Sequence, residues 1–90
     1  MMKELNVLKV AGKSSVSSVS GSIVKSIESG RDVEIRCIGA SSVNQAVKSL
    51  ATARGILASH GYDLMVKPSF STTEINDEQK TMLVFKVVIY

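Results

Sequence analysis

The sequence predicts an α/β chain with the element order β-α-β-α-β-β. Three observations carry that prediction. Val33, Ile35 and Cys37 alternate with Glu34 and Arg36 at the strand period of two. Val16, Val19, Ile23 and Ile27 recur at helical spacing, as do Val43, Ala46, Val47, Leu50, Ala53 and Leu57. The closing run TMLVFKVVIY is apolar on both faces except at Lys86, which marks a central strand or an edge covered by a partner subunit.

Taken in order, Leu5–Val10 is a short strand. Ser14 or Ser15 caps the first helix, Ser20 and Val24 flank its apolar stripe, and Lys25 falls on the opposite side. Gly30 suits the position just past its end. Gly21 lies mid-helix, where it either permits close packing or is simply tolerated. Asp32–Ile38 is the second strand. The second helix begins near Ser42, with a Ser-x-x-Gln capping box reaching Gln45, and ends at His60-Gly61. Asp63–Val66 starts a third strand that Pro68 interrupts or places at an edge. Residues Ser69–Thr73 leave the core in a long hairpin that turns at Asn76–Gln79 and returns through Lys80–Tyr90. A right-handed β-α-β crossover makes the first two strands parallel and brings both strand-to-helix loops to one sheet edge. Gly12-Lys13-Ser14 then lies near Gly39-Ala40-Ser41.

Composition narrows the function. Ninety residues make a single domain, spanning 1–90, with a modest core that dimerisation would enlarge. The net charge of +3 is compatible with a nucleic-acid partner, and no run of Lys or Arg forms a basic arm. The single cysteine, Cys37, fits a reducing compartment and reads as a small core residue. The N-terminal run lacks the apolar segment of a signal peptide, and no stretch is long enough to span a membrane. The expectation is a cytoplasmic protein.

The chemistry points to anions. Gly12-Lys13-Ser14 resembles the end of a phosphate-binding Walker loop, but the required earlier glycine position holds Val7, so the nucleotide-hydrolase reading fails. What survives is a lysine at a helix N-terminus, where free N–H groups and the helix dipole suit a backbone phosphate. Arg54 lies about 20° from the Val43 direction, inside the predicted stripe, and is expected to anchor structure or meet a phosphate. Asn44, Gln45 and Lys48 line the exposed start of the same helix. One Cys and one His cannot build a metal site, no acidic pair has catalytic spacing, and no G-x-S-x-G elbow exists. The expectation is a non-enzyme without cofactor or metal. Four aromatics make base stacking a minor term.

VAGKSSVSSVSGSIV, IGASSVNQAVKSLATARG and YDLMVKPSF resemble the stage V sporulation protein S family of bacteria, over almost the whole chain. That family is similar in fold to Alba, the archaeal chromatin and RNA-binding protein. The resemblance implies an α+β two-layer sandwich, with a mixed four-stranded sheet and two helices on one face. It also implies a homodimer, nucleic-acid binding to DNA or RNA, and a role in sporulation or development. By the same resemblance Lys9, Lys13, Asn44, Lys48 and Arg54 fall at binding positions; the helix N-terminus adds Ser14 as a candidate, and Lys67 adds a positive charge near the hairpin arm. The chain departs from the family pattern at Val16, at Ser20-Gly21-Ser22 and at Lys67. The rival reading is a non-catalytic interaction module for a protein partner or a phosphorylated small molecule.

Overall fold

A computed structural model describes residues 3–90; the first two residues of the expected 1–90 domain lie outside the described part. The elements are β1 (Leu5–Val10), α1 (Val16–Glu28), β2 (Asp32–Cys37), α2 (Ala40–Ser59), β3 (Leu64–Ile75) and β4 (Glu78–Ile89). They form one sheet in the order β1-β2-β4-β3, so β4 is central, the first of the two placements its two-sided apolar sequence allows. β1 and β2 are parallel, with Leu5 opposite Asp32 and Val10 opposite Cys37. β4 runs antiparallel to both of its neighbours.

Alternation sorts the sheet into two faces. Val10, Val33, Ile35, Cys37, Leu64, Phe85 and Val87 pack against Ile23 and Ile27 of α1 and Ala46, Leu50, Ala53 and Leu57 of α2. Lys9, Glu34, Arg36, Lys67 and Lys86 fall on the other face, which no helix covers. Burial pushes the Cys37 thiol above its ordinary range, which keeps it protonated in the core.

The helix layer owes its close packing to small polar residues. Ser20, Ser26, Ser42 and Ser49 are all buried. Ser49 donates to the Gln45 carbonyl (2.7 Å) and Ser20 to the Ser17 carbonyl (3.1 Å) within their own helices, whereas Ser26 accepts from Asn6 Nδ2 of β1 (2.6 Å). Ser42 donates to the Ile38 carbonyl (2.6 Å). No buried side-chain polar atom among the described residues lacks a partner.

Ser15, not Ser14, caps α1, accepting from the Ser18 N–H (3.2 Å). α1 closes at Gly30, whose N–H donates to the Ile27 carbonyl while Arg31 N–H reaches Ser26. At α2 the expected capping box is absent. The helix starts two residues earlier, with Gly39 at φ 91° as its N-cap and no side-chain cap. Ser42 therefore sits inside the first turn, and its hydroxyl serves a carbonyl instead.

β3 runs straight through Pro68, because an edge strand has one side on which a missing N–H costs nothing. The hairpin turns on Asn76 and Asp77, both at positive φ (52° and 62°), the two-residue turn that follows strand twist. β4 accordingly begins at Glu78, two residues before the expected Lys80.

Gly21 is exposed on α1, and a Cβ there would meet nothing within 4 Å. It is tolerated, not required for packing. Gly21→Ala is expected to raise stability by about 0.5–1 kcal/mol. Chemical denaturation checks this; a lower midpoint would contradict it.

Candidate nucleic-acid interface

The loops after β1 and β2 meet at one sheet edge, as the crossover rule requires. Gly12 approaches Ser41 so closely that a Cβ on it would lie 2.4 Å from Ser41 Oγ. Only glycine fits there without a shift. Gln45 Nε2 donates to the Ser14 carbonyl (2.9 Å), tying the start of α2 to the start of α1. This bond is the role of Gln45 that the capping-box reading missed. Ser14 Oγ in turn accepts from the Ala11 N–H (2.9 Å), which fixes the loop that carries Lys13.

Lys13 is exposed in this loop. Beside it, α2 opens with no side-chain cap and no acidic residue in its first turn. The first-turn N–H groups keep their partial positive charge. The arrangement offers an anion one mobile ammonium and a set of fixed donors.

The remaining expected residues divide by position. Lys9 lies on the open sheet face in register with Arg36, and both line a cavity of about 560 Å³ that also includes Gly12 and the hairpin residue Glu74. Arg36 is the residue sequence reasoning passed over here. Its signal was present: it shares the polar face of β2 with Glu34, which accepts its Nε–H at 2.7 Å. Asn44 and Lys48 are exposed on the second and third turns of α2, opposite its buried stripe. Asn44 also lines an apolar concavity of about 600 Å³ with Val43, Val47, Phe70 and Leu83. Phe70 is 78% exposed and Val47 50%.

Two expectations need correction. Arg54 is not in the buried stripe: its side chain is 65% exposed and stands 3.9 Å from the exposed Asp63 Oδ1. It lies fourteen residues along α2 from Ala40, roughly 20 Å from the loops at 1.5 Å per residue. Val47 likewise leaves the stripe for the surface. An exposed pair of this length contributes little, so Arg54→Ala should change stability by less than about 0.5 kcal/mol. A thermal melt lowered by several degrees would contradict the exposed placement. Lys67 sits on the open face directly opposite Lys86, toward the end of the sheet away from the loops.

No group of three or more His, Cys, Asp or Glu among the described residues is placed to hold a metal ion. No helix of the described residues is long and apolar enough to cross a membrane.

A four-stranded mixed sheet with two helices on one face, in this element order, is an Alba-like fold. The structure is similar to Alba from Thermoplasma volcanium, with a TM-score of 0.63 and 12% sequence identity over 93% of this chain and 98% of that one. At that identity the likeness concerns the fold. The family model described as Stage V sporulation protein S (SpoVS) matches residues 6–90, and the chain belongs to that family.

Proposed function

We propose that this chain is a non-catalytic, dimeric nucleic-acid-binding protein of the cytoplasm that serves sporulation or developmental regulation. It grips the phosphates of DNA or RNA at the paired loops after β1 and β2. The observation that supports this most is the union of the two loops: Gly12 against Ser41, and Gln45 bonded to Ser14, beside an uncapped α2 and an exposed Lys13. Lys9, Ser14, Asn44 and Lys48 belong to the same end of the molecule and extend the contact. Binding of this kind reads backbone rather than bases and weakens steeply with salt. The family name supports the developmental role.

Dimerisation rests on the apolar concavity between α2 and the hairpin. A second copy of the chain is the occupant we assign to it. Exposed Phe70 and Val47 supply the anchors that a small core leaves unburied.

A second reading, an interaction module for a phosphorylated small molecule or a protein, draws on the modest charge of +3 and on Glu34 neutralising Arg36. Fluorescence anisotropy with single- and double-stranded DNA and RNA, at about 50 and 200 mM salt, separates the two. Salt-sensitive binding supports the nucleic-acid reading. Absence of binding to all four probes at the lower salt would transfer the lead to the second.

A further inference from the structure

At the end of the sheet opposite the loops, β2 and β4 part. Their register runs from Glu34 opposite Lys86 to Cys37 opposite Leu83, whereas β4 continues to Ile89 in register with β3. The opening forms a cavity of about 360 Å³, lined by Lys3, Arg31, Asp32, Tyr62, Lys67 and Lys86 among others. Four cations from four separate segments thus share its lining with one carboxylate.

None of these cations is in an ion pair. The ion pairs among the described residues are Arg36–Glu34, Arg54–Asp63 and Lys80–Glu78, and the His60 ring stands against the Glu28 carboxylate. Lys67 and Lys86 stand directly opposite in the antiparallel register. Their repulsion is met only by Glu34, in register with Lys86 on β2 and already bonded to Arg36. An anion between them reverses the sign of that interaction. Arg31 adds a planar donor fork that matches phosphate oxygens, and Tyr62 adds an aromatic wall.

We infer that this cavity binds a small phosphorylated molecule carrying two or more negative charges. The volume lies in the range of small-ligand sites. The concave shape between two strands suits a free phosphate compound better than a duplex. The site is separate from the loop end and does not depend on nucleic-acid binding there.

The probe is inorganic pyrophosphate, titrated into the full chain at constant ionic strength and followed by amide chemical shifts and calorimetry. The expected result is saturable binding, with shifts centred on Arg31, Asp32, Tyr62 and Lys86–Val88. A Lys67→Gln, Lys86→Gln double variant should bind at least about tenfold more weakly, and Lys13→Glu should bind as the parent does. Without pyrophosphate the double variant should melt at or above the parent temperature, because it lacks the like-charge pair. Arg31→Gln provides an independent second variant with the same expected loss. Absence of saturable binding, equal affinity in the double variant and in Arg31→Gln, or loss of binding in Lys13→Glu would overturn the inference. Displacement of pyrophosphate by a short duplex would also overturn it, by making the cavity part of the nucleic-acid surface.

Discussion

Lys13→Glu is expected to bind both DNA and RNA far more weakly than the parent while keeping its fold. The residue is exposed in the loop after β1, so its removal leaves the core untouched. An anion at that point faces the incoming phosphates and works against the N-terminal donors of α2. The milder Lys13→Ala separates charge loss from repulsion. Each phosphate contact contributes about 0.9 to the slope of log affinity against log salt on B-DNA, so a dimer that loses two contacts loses close to two units of slope. Between about 50 and 200 mM salt the parent should therefore lose roughly tenfold more affinity than the Ala variant. The weakening should be similar across sequences, because phosphates carry no sequence information. Anisotropy titrations at several salt concentrations measure both effects. An unchanged slope would remove Lys13 from the interface.

Phe70→Asp is expected to convert the proposed dimer to monomers. Phe70 stands 78% exposed beside Val47, Val43 and Leu83, so a single chain has little use for it. Truncating a central aromatic anchor costs an interface about 2–4 kcal/mol, or about 30- to 1,000-fold in dissociation constant. A buried carboxylate without a partner adds to that cost. The monomer should retain its fold and bind nucleic acid with about half the parent's salt slope, since one of two phosphate sites remains. Sedimentation equilibrium at micromolar concentration tests this. A parent that is monomeric under those conditions would contradict the assigned second copy, and a variant that remains dimeric would move the interface elsewhere.

The strand and helix order was legible because its signals are local. Val33, Ile35 and Cys37 alternate cleanly, and the crossover rule then places both loops at one edge without knowledge of any side chain. The long hairpin was legible too, from Pro68 and the Asn76-Asp77 turn. Arg54 and Val47 were misplaced because the expected stripe counted Val43 and Val47 and left out Ser42 and Ser49. The buried residues of α2 are Ser42, Ala46, Ser49, Leu50, Ala53 and Leu57. At 100° per residue their centre lies roughly 70° from Val43, and Arg54 and Val47 fall about 90° and 110° away from it. The two serines shift the centre, yet a hydropathy pattern counts them as polar. Their burial is possible because each hydroxyl bonds a carbonyl of its own helix or of the residues leading into it. Gln45 escaped for a related reason: its partner, the Ser14 carbonyl, lies thirty-one residues away in the chain. The cation cluster around Lys67 and Lys86 depends on the exact register of β3 against β4, which a turn position two residues off would have paired differently.

The most direct test of the phosphate grip at the paired loops is amide chemical-shift mapping of the labelled protein with a short duplex at low salt. The account predicts the largest shifts at Gly12–Ser15 and Gly39–Asn44, with Arg31 and Lys86 little changed. Shifts centred on the Lys67–Lys86 end of the sheet, with the two loops silent, would contradict it.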